Sequence, residues 1–236
     1  MTKFGLFALM LCITTPAYAD SLAVIDQSGD GNVGAQTQSS DSNSAQLTQS
    51  GSLNTASQVQ VRGATAQAIQ SGDRNSVSQS QSGPVFSGGQ NANLAYAEQV
   101  GNFGRLEQTQ LAVGGSMTAL QAGGQNGTMT IIQRQGPSGG VDSRGDTMHA
   151  DQDGYVGRFL IQAQFGTSNS ESTVVQDAGG FGGFAAAEQV NGDALSASIY
   201  QAGSFNQGQT IQRFGGSDDA SVFQDGDSNL ASIRQE

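Results

Sequence analysis

Glutamine recurs along this chain about every eleven residues, and that spacing restricts the fold more than any other feature. Gln27, Gln38, Gln49, Gln60, Gln70, Gln81, Gln99, Gln110, Gln121, Gln133, Gln152, Gln164, Gln176, Gln189, Gln201, Gln212, Gln224 and Gln235 each close a seven-residue segment. Fifteen of the seventeen intervals are ten to thirteen residues; the other two, of 18 and 19, each hold a proline, Pro84 or Pro137. A fixed period of this kind marks a repeat architecture, in which each unit buries its face only by stacking on the next.

Within a segment the pattern alternates. Asn43, Ala45, Leu47 and Gln49 fall on one face, and Ser44, Gln46 and Thr48 on the other. Ser21, Ala23, Ile25 and Gln27 repeat the first face, as do Asn229, Ala231, Ile233 and Gln235. A period of two is that of a strand with one face buried. Turn signals such as Ser28-Gly29-Asp30-Gly31 and Ser71-Gly72-Asp73-Arg74 separate the strands. Two strands and two turns make one rung, so the reading is all-β: a β-solenoid of about nine two-strand rungs.

The expected core is thin and half polar. First strands offer pairs such as Ala23 and Ile25, or Ala197 and Ile199, whereas second strands offer Gln36, Gln58, Gln79, Gln108 and Gln162. A buried amide without a partner costs roughly 2–7 kcal/mol, depending on the reference state. Stacking removes that cost, because identical amides one rung apart donate to and accept from one another. The candidate ladder residues are therefore Gln27, Gln38, Gln49, Gln60, Gln70, Gln81, Gln201, Gln212, Gln224 and Gln235. Asn32, Asn54, Asn75, Asn206 and Asn229, which open second strands, are read as a parallel asparagine ladder. In the middle of the chain Gly104, Gly127, Arg158 and Gly183 take the asparagine position. The prolines predict loop insertions near 82–92 and 134–145.

Residues 1–19 read as a signal peptide. Lys3 precedes an apolar run from Phe4 to Ile13, and Ala17-Tyr18-Ala19 has a small-x-small cleavage form, so the mature domain is expected to span 20–236. The only cysteine, Cys12, would leave with the leader, so no disulfide framework is available. The whole chain has a net charge of −11. Such an acidic chain repels phosphate, which argues against nucleic acid as a partner. The single histidine, His149, is placed on an outer face, poor material for a triad or a zinc site. Asp26/Asp30, Asp151/Asp153 and Asp225/Asp227 lack the spacing of a calcium loop and are read as turn-capping carboxylates. No catalytic residue, cofactor or metal is expected.

The motifs resemble the curlin repeat, Q-x-G-x-x-N-x-A-x-x-x-Q. QSGSLNTASQVQ from Gln49 to Gln60 and QDGDSNLASIRQ from Gln224 to Gln235 are complete. QSGDGNVGAQTQ (Gln27 to Gln38) and QAGSFNQGQTIQ (Gln201 to Gln212) carry glycine for alanine, and QSGDRNSVSQSQ (Gln70 to Gln81) carries valine. The resemblance spans most of residues 21–235. It implies a structural subunit of curli, secreted across the outer membrane into extracellular, cell-surface amyloid fibres of adhesion and biofilm. The partners it implies are further copies of the chain stacked end to end, other curli subunits and a secretion pore. The chain departs from the family's usual five or so rungs. Two alternatives stand beside the major fibre subunit: a minor nucleating subunit, and a monomeric secreted or surface β-solenoid that binds host or surface ligands.

Overall fold

The computed structural model describes residues 21–39, 42–82, 93–111, 114–123, 129–136, 145–154, 157–177 and 181–236, together with the backbone of residues 12–13. The chain forms two parallel sheets that alternate strand by strand. One sheet, called here the even sheet, holds β2 (Leu22–Ser28), β4 (Ser44–Ser50), β6 (Thr65–Ser71), β8 (Leu94–Gly101), β10 (Ser116–Gly123), β12 (Thr147–Gly154), β14 (Glu171–Gln176), β16 (Ser196–Gln201) and β18 (Asp219–Gln224). The odd sheet holds β3 (Val33–Ser39), β5 (Thr55–Val61), β7 (Ser76–Ser82), β9 (Gly104–Gln110), β11 (Met129–Gly136), β13 (Phe159–Phe165), β15 (Phe184–Val190), β17 (Gln207–Arg213) and β19 (Leu230–Gln235). A two-residue strand, β1 (Cys12–Ile13), pairs with Ala35 and Gln36 at the outer edge of β3. The architecture is a β-solenoid, nine strands deep in each sheet when β1 is set aside.

Alternation decides which side chains enter the space between the sheets. In β4 the buried positions are Ala45, Leu47 and Gln49, and in β5 Ala56, Gln58 and Gln60. The even sheet contributes a column that is apolar throughout, Ile25, Leu47, Ala68, Ala97, Ala119, Ala150, Val174, Ile199 and Val222. The odd sheet answers with Gly34, Ala56, Val77, Leu106, Ile131, Leu160, Ala185, Gly208 and Ala231. Bulk in one column is matched by its absence in the other. A β-carbon on Gly34 would lie 2.7 Å from a Leu47 methyl, and one on Gly208 would lie 3.0 Å from a methyl of Ile199. In the central rungs the large residues are Leu106, Ile131 and Leu160, and the even column there is alanine. This exchange lets bulky and small side chains share the space between the sheets.

The turns leaving the even sheet also stack in register. Gly51 has φ +100, and a β-carbon there would lie 2.1 Å from the carbonyl oxygen of Gly72 one rung on. Glycine is required on two grounds, a left-handed backbone and a close approach. Two residues later the backbone is left-handed again, at Leu53, Arg74, Phe103, Phe205 and Ser228. The turn polar groups bridge rungs: Ser52 N–H donates to Asp73 Oδ1 at 2.7 Å, and Ser204 N–H to Asp227 Oδ1 at 2.7 Å.

Three expectations need correction. Gln135, not Gln133, is the repeat glutamine of β11, since it pairs with Gln110 and Gln164. The opening position of that strand is accordingly Met129, paired with Gly104, and not Gly127. Second, within the loop insertions expected near 134–145 and 82–92, Arg134, Gln135 and Gly136 belong to β11 and Ser82 closes β7, while residues 83–92 and 137–144 lie outside the described residues. Pro84, Pro137 and Gly127 lie outside the described residues, as does the leader apart from β1. Third, Asp26, Asp151 and Asp153 sit within strands and not in turns, whereas Asp30 and Asp227 are turn residues.

Candidate functional site

The polar side chains between the sheets form three continuous rows. In the even sheet, Gln27 donates from Nε2 to Gln49 Oε1, and the same bond links Gln49 to Gln70 at 2.7 Å, Gln70 to Gln99 at 3.0 Å and Gln99 to Gln121 at 2.9 Å. It continues through Gln152 and Gln176 to Gln201, which donates to Gln224 at 2.6 Å. In the odd sheet an equivalent row begins at Gln38 and passes through Gln60, Gln81, Gln110, Gln135, Gln164 and Gln189. It ends as Gln189 donates to Gln212 at 3.0 Å and Gln212 to Gln235 at 2.9 Å. A third row lies deeper in the odd sheet: Gln36, Gln58, Gln79, Gln108, Gln133 and Gln162, joined by bonds of 2.7–2.8 Å. Gln133 belongs to this inner row.

Each row is polar along its length. Nε2 always donates toward the C-terminal neighbour and Oε1 always accepts from the N-terminal one. In many of these side chains the second amide hydrogen crosses to the opposite sheet. Gln36 donates to the Val24 carbonyl at 2.9 Å, Gln58 to that of Gln46 at 3.1 Å, and Gln49 to that of Val33 at 3.3 Å. One side chain therefore holds rung to rung and sheet to sheet. Burying so many amides is tolerable because, within the rows, each oxygen accepts from the rung before and each Nε2 donates to the rung after, Gln36 Oε1 at the start of the inner row being left without a partner.

The asparagines work differently from the expected amide-to-amide ladder. Asn32 Oδ1 accepts the backbone N–H of Asn54 at 3.0 Å, Asn54 Oδ1 that of Asn75 at 2.9 Å, and Asn206 Oδ1 that of Asn229 at 3.0 Å. Their Nδ2 groups donate to turn carbonyls, as from Asn54 to Ser50 and Gly72 and from Asn206 to Ala202 and Gly226. The side chain is too short to reach its counterpart, so it caps the turn of the next rung instead. Asn229, in the last turn, donates to the Asp225 carbonyl at 2.9 Å.

The two ends differ from the interior. The inward positions of β2 and β19, Ile25, Gln27, Ile233 and Gln235 among them, are only half-buried, whereas their equivalents inside the stack are fully buried. β2 and β18 terminate the even sheet and β19 terminates the odd sheet. Along β2, β18 and β19 the amide rows and backbone groups are presented edge-on, whereas β1 lies against Ala35 and Gln36 at the outer edge of β3.

The outer faces carry scattered charge. His149 lies half-exposed on the outside of β12. Beside it, burial holds the Asp151 carboxyl above the usual carboxylate range; the His149 imidazole opposes this, and Asp153 and Asp177 add to it. The Tyr200 hydroxyl donates to Asp177 at 2.9 Å, which raises its pKa. Arg158 takes an asparagine position but is buried, and burial lowers its pKa despite the nearby Asp153 and Asp177. Among the described residues, no cluster of three or more histidine, cysteine or acidic side chains is arranged to hold a metal.

Comparison with known proteins yields no match: no family model fits the chain, and no curated protein or solved structure is significantly similar to it.

Proposed function

We propose that this protein is a secreted structural subunit of an extracellular, curli-like amyloid fibre, built by stacking subunits end to end as rungs are stacked within each one. The observation that carries this reading is the pair of open ends. Gln27 and Gln38 offer acceptors at the N-terminal end, and Gln224 and Gln235 offer donors at the equivalent positions of the C-terminal end. Once the leader, and β1 with it, has left, a second copy placed on either end continues both outer rows and both sheets in register. Long, exposed edge strands with few blocking features are templates for further pairing. The motif resemblance to curlin repeats supports the same reading and adds the setting, adhesion and biofilm at the cell surface.

The test is direct. Purified protein is incubated at tens of micromolar, roughly where exposed edges should meet, and watched for fibres that bind amyloid dyes and give a reflection near about 4.7–4.8 Å. Seeded growth of variants then locates the contact. Gln27→Ala and Gln224→Ala should slow elongation, Gln49→Ala should mainly destabilise the subunit, and His149→Ala should leave growth unchanged. A monomer that persists for days would instead favour a monomeric β-solenoid binding module.

A further inference from the structure

The two outer faces of the solenoid carry opposite charge. The even strands hold Asp26, Glu98, Asp151, Asp153, Glu171 and Asp219 and neither lysine nor arginine, a net of −6 with His149 neutral. The odd strands hold Arg105, Arg134, Arg213 and Arg234 against Glu107 and Glu188, a net of +2. Alternation along the strands turns all of these side chains outward. Neither face neutralises itself. Arg105 and Arg134 share Glu107, each at 3.5 Å, so one guanidinium there is in excess. On the other side Asp151 has Asp153 and Asp177 for neighbours, with His149 to oppose them.

Both faces also present apolar rows. On the odd face Ile132 lies beside Ile161 and Ile161 beside Ala186, and the Phe159 and Phe184 rings stack with centroids 6.0 Å apart. On the even face one row runs Glu98, Leu120, Asp151, Val175, Tyr200 and Phe223, setting apolar groups beside acids. Nine strands about 4.8 Å apart, each of about seven residues at about 3.3 Å, make a face of about 1,000 Å². That exceeds the roughly 800 Å² per partner of a stable interface.

We propose that solenoids of this protein also associate side by side, the odd face of one copy on the even face of the next. Charge selects this pairing. Even on even sets −6 against −6 and odd on odd sets +2 against +2, whereas odd on even sets +2 against −6. At about 0.1 M salt the Debye length is about 10 Å, the distance between packed sheets, so a face senses the face opposite more than the acidic chain as a whole. The contact is heterologous. Each copy keeps one face free, so association does not close on a pair and builds layers of filaments. This lateral direction of assembly uses surfaces other than the stacking ends. It rests on the fibre reading, because contacts that are weak singly add along a fibre whose faces repeat.

The experiment images fibres of the whole protein, after any processing by its host, by electron microscopy at about 0.1 M salt, and counts the fraction lying side by side. Arg105→Glu with Arg134→Glu takes the odd face to −2 and should lower that fraction at least about fivefold while seeded elongation is unchanged. Asp151→Arg with Glu171→Arg leaves the even face at only −2 and should lower it about twofold or more. Wild-type fibres that stay single, or pairing untouched by the odd-face reversal, overturn the inference and leave the fibre reading standing. So does pairing that survives the even-face reversal alone, since the odd face then meets its own kind. Should a reversed chain fail to fold, Arg105→Gln with Arg134→Gln and Asp151→Asn with Glu171→Gln remove the charges without reversing them. Each should still reduce pairing, and a wild-type fraction for either overturns the inference. If neither wild type nor any variant forms fibres, end-to-end stacking fails and the inference fails with it.

Discussion

Between Gln36 and Gln162 the inner position of the odd sheet is filled by six stacked amides; in the last three rungs the same position holds Ala187, Thr210 and Ile233. Both regions lie between the same two sheets, with Ile233 in the last strand half-buried. Amides come as an unbroken block because each needs a like neighbour on the next rung, so the block ends only where Ser172 accepts the last donor. Apolar side chains have no such requirement and mix freely. The corners entering the even sheet also change. In the last three rungs they are equal in length, residues 166–170, 191–195 and 214–218, with isolated bridges from Ser168 to Asp193 and from Asp193 to Gly216. A hollow of about 230 Å³ lies there, lined by Gly166, Asn191, Gly192, Asp193, Gly215 and Gly216. The early rungs are specified by hydrogen bonds, and the late ones more by bulk.

The largest expected effect contrasts the two kinds of turn. Gly51→Ala forces a β-carbon into the carbonyl of Gly72 on a left-handed backbone, and should cost about 3 kcal/mol or more of unfolding free energy. Gly216→Ala meets nothing within 4 Å and should stay within about 0.5 kcal/mol of wild type. Urea unfolding of the two variants measures the difference, and equal losses would break the contrast.

The inner row gives the next effect. Gln58→Leu removes the bonds to Gln36 and Gln79 and strands the buried Gln79 oxygen, at a cost of about 2 kcal/mol. Thr210→Val, in the same row, removes a buried hydroxyl that has no partner. It should be neutral or stabilising by up to about 1 kcal/mol. If both changes destabilise alike, the two regions are not chemically distinct.

Smaller again is the aromatic pair on the outer face near the C-terminal end. Phe223 is 71% exposed and stacks on Tyr200 with centroids 5.1 Å apart. Phe223→Ser should cost about 0.5–1 kcal/mol, less than any amide of the inner row. A larger loss, by the same unfolding measurement, would make the late rungs depend on surface packing as well.

The smallest effect is one of pH. The folded-state pKa of Asp151 is raised, chiefly by burial, so the folded chain holds this proton more tightly than the unfolded chain. Its contribution is therefore neutral at strongly acidic pH. Stability falls as pH rises from the ordinary aspartate range through the raised value, and the loss persists above it. Asp151→Asn should raise the melting temperature slightly at neutral pH and have no effect in acid. A variant less stable than wild type at pH 7 would show that the carboxylate is needed as a charge.

Most of the fold was legible in residue spacing. Period two within segments and period eleven between them name the strands, the inward faces and the two outer glutamine rows. What spacing left ambiguous is instructive. Gln133 and Gln135 both point inward, because a shift of two residues keeps every side chain on its face. Only pairing with Gln110 and Gln164 separates them. The asparagine row was visible as a row, but its bonding depends on reach, and one methylene fewer sends the amide to the backbone.

By itself, then, the sequence determined the solenoid, its strand register over the outer rungs and the residues that stack, since alternation and turn chemistry are local properties of the chain. Tertiary structure alone decided which columns face each other, and so why Gly34 and Gly208 lie opposite bulky neighbours. It also decided the direction of the amide rows, and that Ser172 closes one end of the inner row while Gln36 leaves the other open. Those facts depend on where an atom of one rung lies relative to another some twenty-odd residues away, a relation fixed only when the sheets close upon each other.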